Sequence, residues 1–238
     1  MEYKKRLTSL IDSTVAQGAS DLHLSVGSSP IIRVSGSLTP LLSEKKLTPE
    51  DTQGFIAELL SPENLKRFQE TKEIDFSYAH GDTARFRGNG YFERGAVAVA
   101  LRLIPKAIRT LEELNLPPLL KDFAMREQGF FLVVGPVGQG KTTTLASMIE
   151  LINVERAEHI VTIEDPIEYL FEDKKALIDQ REVRLDTADF QNALQSVFRQ
   201  DVDVVMIGEM RTPETMATAV TAAETGHLVF STLHTNNA

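Results

Sequence analysis

The stretch Gly135-Pro136-Val137-Gly138-Gln139-Gly140-Lys141-Thr142 reads G-x-x-x-x-G-K-T and constrains the fold more tightly than any other. An apolar run, Phe130-Phe131-Leu132-Val133-Val134, precedes it. A helical pattern follows from Thr143 to Asn153, with Leu145, Met148, Ile149 and Ile152 on one face. A strand before the loop and a helix after it are the context a phosphate-binding loop needs. The backbone N–H groups of Gly135, Gly138, Gln139 and Gly140, with the helix N-terminus at Thr142 and Thr143, make a site for phosphate oxygens. Lys141 is placed for the terminal phosphates and the Thr142 hydroxyl for Mg²⁺. The alternative, a glycine-rich turn that binds nothing, is disfavoured by this context, and the chain is expected to bind a nucleoside triphosphate.

The rest of the second half alternates strand and helix, the pattern of a mostly parallel sheet covered by helices. Strands are predicted at 129–134, 159–164, 176–178, 202–207 and 228–233, and further helices at 187–199 and 213–224. Ligands in such sheets bind beyond the carboxyl ends of the strands. Polar residues gather there: Gly208-Glu209 after Val202–Ile207, and Glu164-Asp165-Pro166-Ile167-Glu168 after Ile160–Ile163. The last strand is flanked by His227 and His234, which places two imidazoles near the same edge on this reading. Taken singly, Glu209 reads as a surface acid, Glu164 and Asp165 as turn residues, and each histidine as a partner of backbone carbonyls. Their shared placement opposite one phosphate loop favours a catalytic site. Glu209 is positioned to orient an attacking water or hold a Mg²⁺-bound one.

The first half reads as a separate α+β region. A helix over 3–17 is followed by strands at 21–26 and 31–34. Thr48-Pro49 and Ser61-Pro62 each announce a helix with an N-cap and a proline at its first position. A strand-rich stretch then runs from Glu73 to Ile104. Arg85 and Arg87 share one face of its middle strand, Arg94 sits at the turn before Gly95, and Arg102 interrupts the last strand. Each arginine alone reads as a solvated residue on a sheet; four in one sheet of an acidic chain fit anion contact equally well. His23 points away from the apolar face of its strand and reads as a surface histidine. Domains are expected at 1–105 and 119–238, with a linker over 106–118 and the boundary near Lys106.

A formal charge of −9 argues against a protein built chiefly to grip a nucleic-acid backbone. With no cysteine, disulfides and thiolate metal sites are excluded. The apolar runs are too short to span a membrane and the N-terminus too polar for a signal peptide, so a cytoplasmic protein is expected.

Four boxes together resemble the secretion ATPase superfamily that powers type II secretion and type IV pili. Gly135–Thr142 matches its Walker A, Thr162–Glu168 its Asp box, Ile207-Gly208-Glu209-Met210-Arg211 its atypical Walker B, and Thr225–Thr235 its His box. Within the superfamily, Gln17–Leu24, Ala84-Arg85-Phe86-Arg87, Gln180–Val183 and Ala222–His227 look like the pilus retraction, or twitching-motility, branch. The resemblance implies a PAS-like N-terminal domain and a RecA-like P-loop ATPase domain, with ATP and Mg²⁺ between them and arginines of the first domain on the phosphates. Arg87 and Arg102 match those arginines best and Arg94 less well. It implies Glu209 as general base, Glu164 as a water- or Mg²⁺-orienting acid, and His227 and His234 as couplers of nucleotide state to domain motion. It further implies a homohexamer docked, without inserting, at the inner face of the cytoplasmic membrane on a pilus platform protein, with no nucleic-acid partner. Val137 and Gln139 stand where the family has Thr and Ser, and Thr212 where Asp is common. The chain ends at Ala238, so the C-terminal helical region with its retraction motif is expected to be missing. The competing readings are a pilus-extension or type II secretion ATPase, a RecA-like nucleic-acid-dependent ATPase, and a nucleotide sensor without turnover.

Overall fold

In the computed structural model, residues 2–81, 83–105, 107–136 and 138–234 are described. Val137 of the phosphate loop, Thr235 of the His box and the boundary residue Lys106 lie outside them. The chain divides into two compact units, Met1–Ile104 and Pro105–Ala238.

The first unit runs α1 (Glu2–Ala16), β1 (Asp21–Leu24), β2 (Ile31–Val34), β3 (Ser37–Pro40), α2 (Pro49–Leu59), α3 (Pro62–Thr71), β4 (Glu73–His80), β5 (Ala84–Glu93) and β6 (Ala96–Ile104). Its strands form one antiparallel sheet in the order β3-β2-β1-β6-β5-β4. Helices start where the capping residues dictate. Thr48 accepts from Asp51 N while the Asp51 carboxylate accepts from Thr48 N, closing a capping box, and Ser61 accepts from Asn64 N. Leu7, Leu10, Ile11, Phe55, Ile56 and Phe68 from the helices bury against Leu22, Leu24, Phe86 and Leu101 of the sheet. Gly88 faces Phe76 across the β4–β5 pair, and a Cβ there would fall 2.3 Å from the ring.

That core takes one face of the sheet; the other carries the arginines. Register pairs Arg87 with Arg102, Arg102 with Asp21, and Asp21 with Arg33, so the four form one row across the strands. Asp21 accepts from Arg102 Nε at 2.9 Å and from the Ser20 hydroxyl at 2.7 Å. Burial alone would raise its pKa, but these two bonds together with the charges nearby, Arg102 first, outweigh burial and hold it below the usual carboxylate value. Arg94 and Gly95, both with positive φ, make the two-residue hairpin between β5 and β6. His23 is half-buried on the arginine face, not on open surface. Its Nε2 is covered and has no hydrogen-bond partner among the described residues, and burial lowers its pKa.

In the second unit, residues 107–118 run alongside the core, with Leu111 buried and Leu116 packed next to it. Then follow α4 (Leu119–Ala124), β7 (Gly129–Val134), α5 (Lys141–Glu155), β8 (His159–Glu164), β9 (Leu177–Glu182), α6 (Phe190–Val197), β10 (Val204–Ile207), α7 (Pro213–Glu224) and β11 (Leu228–Leu233). All five strands are parallel, ordered β7-β11-β10-β8-β9. Because side chains alternate along each strand, the sheet feeds two cores. Ile160, Met206 and Phe230 meet Leu145, Met148, Ile149 and Ile152 of α5 on one face. Val161, Val205 and Val229 meet Ala193, Leu194 and Ala219 of α6 and α7 on the other. An all-parallel sheet with helices on both faces puts every strand's carboxyl end on one rim.

Candidate active site

At that rim β7 gives way to the phosphate loop. Gly138 and Gly140 have φ near +80°, a conformation other residues reach only with strain, and Gly140 caps α5. Thr48, Ser61, Asp189 and Thr212 each cap a helix with a side chain; α5 has none. Its first-turn N–H groups are thereby left for an anion. A Cβ built on Gly138 or Gly140 meets nothing within 4 Å, so the loop is an open cradle. Lys141 is buried at its mouth. Its Nζ donates to Gly135 O at 2.9 Å and Pro136 O at 2.8 Å, and lies 3.3 Å from His234 Nδ1.

His234 follows the end of β11, next to β7. Its Nε2 is 3.9 Å from Glu209 Oε2, and the other Glu209 oxygen pairs with Arg211. The bond to Glu209 raises the Arg211 pKa. Lys141, His234, Glu209 and Arg211 thus form a continuous line of charged and titratable groups along the rim. Its backbone is pinned by Thr232, whose hydroxyl donates to Gly208 O at 2.6 Å and whose carbonyl accepts from Met210 N. Gly208 lets the two strand ends approach closely: a Cβ there would stand 3.3 Å from Ile163 O and 3.4 Å from Glu164 Cα, a tight fit against backbone.

Glu164, at the end of β8, is 3% exposed. Burial pushes its pKa up to about 7, against hydrogen bonds from Thr162, Gln180 and Glu168 N that favour the charged form. Thr143 Oγ1, in the first turn of α5, lies 2.9 Å from the Tyr169 hydroxyl, tying the helix to the loop after Glu164. The oxygens of Thr142 and Glu164 suit a hard cation such as Mg²⁺, which takes one or two protein ligands and completes its shell with phosphates and water.

The rim therefore gathers Gly135, Gly138, Gln139, Gly140, Lys141, Thr142, Thr143, Glu164, Glu209 and His234. It does not gather His227, which precedes β11 whereas His234 follows it. Six extended residues separate them, roughly 20 Å at the usual rise, so the two imidazoles are not at one edge. His227 Nδ1 lies 3.0 Å from Ala222 O, and the ring meets Phe198 edge-on beside a cavity of about 690 Å³ lined by Glu158 and Asp203. In the first unit, Arg87 and Arg102 are neighbours, but Arg94 is at the far hairpin. Six residues of strand lie between Arg87 and Arg94, again roughly 20 Å. Sequence reasoning assigned no role to Thr162, Tyr169 or Gln180. Period-two spacing put Thr162 on the Glu164 face and was the one available signal; the other two depend on strand pairing.

A family model described as type II/IV secretion system protein matches residues 3–238. The chain belongs to that family. Among its relatives, this chain is 44% identical over 232 residues to the type IV pilus retraction ATPase PilT of Pseudomonas aeruginosa, covering 98% of this chain and 67% of that one. It is 44% identical over 209 residues to a twitching motility protein of Neisseria gonorrhoeae, covering 88% of this chain and 56% of the relative. The crystal structure of the pilus retraction motor PilT with bound ADP superposes with a TM-score of 0.91 at 46% identity, over 97% of this chain and 67% of that one. The chain thus spans about two thirds or less of the length of these relatives. Among the described residues, no helix is long and apolar enough to cross a membrane.

Proposed function

We propose that this chain carries the ATP-hydrolysing machinery of a hexameric motor that drives type IV pilus retraction, peripheral to the cytoplasmic membrane and docked on a platform protein of the pilus base. The observation that carries the reading is the line Lys141–His234–Glu209 on the rim of the phosphate cradle, with Glu164 at the end of the next strand. The similarity to PilT supports retraction over extension or secretion.

Triphosphate oxygens lie on the loop amides and the uncapped N-terminus of α5, and Lys141 leaves the Gly135 and Pro136 carbonyls for the terminal phosphates. Glu209 takes a proton from the attacking water as oxygen bonds to the γ-phosphorus and the bond to the bridging oxygen breaks, giving ADP and phosphate. Thr142 and Glu164 would hold Mg²⁺, which supplies charge neutralisation on the phosphates. His234, between Lys141 and Glu209, senses whether Lys141 is on phosphate. Arg87 and Arg102 are the polyphosphate-binding pair of the first unit; Arg94 is not part of it. His227, at the opposite rim, has no part in the proton transfer.

The test is a pair of variants measured for binding of a fluorescent ATP analogue and for phosphate release. Lys141→Ala loses binding, and Glu209→Gln keeps binding but stops turnover. Turnover close to wild type in Glu209→Gln removes the base assignment. In the cell, loss of the gene leaves hyperpiliated, non-twitching bacteria; bald cells would indicate an extension motor.

A further inference from the structure

Glu164 is held more elaborately than a residue that only fills space. Thr162, fully buried two positions earlier on β8, donates its hydroxyl to Glu164 Oε1 at 2.6 Å. Gln180 on β9 is the cross-strand partner of Thr162, and its Nε2 donates to the same oxygen at 3.2 Å. That amide cannot turn over. Its Oε1 accepts from Phe171 N at 2.9 Å and its Nε2 also donates to Tyr169 O at 2.8 Å, so a flip would set donor against donor and acceptor against acceptor. One side chain thus fixes both the carboxylate and the loop whose Tyr169 hydroxyl meets Thr143 of the phosphate-loop helix. Both strong donors converge on Oε1. Among the described residues Oε2 receives only Glu168 N, at 3.4 Å, and is the oxygen left to take a water or a cation.

We propose that Thr162 and Gln180 are positioning residues for hydrolysis, which clamp Glu164 by one oxygen so that the other is presented to the nucleotide site. The inference rests on the reading of Glu164 as a water- or Mg²⁺-orienting acid. A buried carboxylate also needs donors for stability alone, so the test must move something that stability does not. In the full-length gene product, Thr162→Val removes the hydroxyl at nearly constant volume and Thr162→Ser keeps it. Thr162→Val should lower kcat about 10- to 100-fold, the usual cost of losing an outer partner of a reacting ligand. The Kd for a fluorescent ADP analogue should stay within about twofold of wild type if the clamp acts on the reaction and not on binding. Thr162→Ser should turn over nearly as wild type, and Thr162→Val added to Glu164→Gln should cost nothing further. Gln180→Leu, at a half-buried position that tolerates change better, should show the same split of kcat from Kd. Equal losses in the Val and Ser variants, losses that follow Kd or the melting temperature, or full turnover in both Thr162→Val and Gln180→Leu beside an inactive Glu164→Gln would each overturn the clamp. Wild-type turnover in Glu164→Gln would instead remove the role of Glu164, and the inference with it.

Discussion

Replacing Glu164 with glutamine should stabilise the nucleotide-free protein, and do so more as the pH rises. The side chain is 3% exposed and burial lifts its pKa from 4.5 to about 7. Below pH 4.5 the carboxyl is protonated in both folded and unfolded chains and contributes no difference. Between pH 4.5 and about 7 the unfolded chain ionises while the folded one holds its proton, so folding loses about 1.4 kcal/mol per pH unit. Above pH 7 the loss levels off at about 3 kcal/mol, an upper figure because water reaching the site would reduce it. Glutamine cannot ionise, so the variant escapes the loss while sharing every other titration of the protein. Urea unfolding of both proteins from pH 5 to pH 8, followed by circular dichroism without nucleotide, gives the difference directly. The variant should gain on wild type across this window and then run parallel to it. Curves parallel throughout would show that Glu164 is already ionised at pH 5, and the burial argument would fail.

Two further substitutions test the packing that carries the sites. Gly88→Ala would drive a methyl into the Phe76 ring on the core face of the strand that bears Arg87, and should cost about 1–3 kcal/mol as overpacking, read as a lower melting temperature. Asn153, fully buried near the end of α5, donates to Glu150 and to Glu172 O and accepts from Lys174 N. Asn153→Leu strands these groups and should destabilise by about 1–3 kcal/mol in the same measurement.

Most of the candidate site was legible because its cues are local. A phosphate loop needs glycines, a lysine and a hydroxyl at fixed spacing between a strand and a helix, and all of these are contiguous. Apolar runs ending in Glu164 and Glu209 marked two more strand ends. Boundaries were less legible. The helix expected over 187–199 begins only at Phe190, because the Asp189 carboxylate caps Asn192 N at 2.7 Å. Strand β3, every residue of it exposed, has no apolar alternation to announce it, and α4 is too short to show a period. The expected strand at 176–178 runs instead from Leu177 to Glu182, where pairing with β8 overrides a polar sequence.

The sequence by itself determined that a glycine-rich phosphate loop sits between a strand and a helix, that acids end two strands of the second half, and that four arginines fall in one strand-rich stretch of the first. These follow from spacing, which the chain carries without folding. Only the tertiary structure decided which of the candidates meet. Strand direction sends His227 and His234 to opposite rims although seven positions separate them, and hairpin geometry carries Arg94 away from Arg87 and Arg102. Parallel pairing of β8 with β9 brings Gln180 from sixteen residues away onto Glu164. The cause is the same in each case: extended chain moves about 3.3 Å per residue along a strand but only about 4.8 Å from one strand to the next. Neighbours in a site are therefore set by register, which the order of residues does not state.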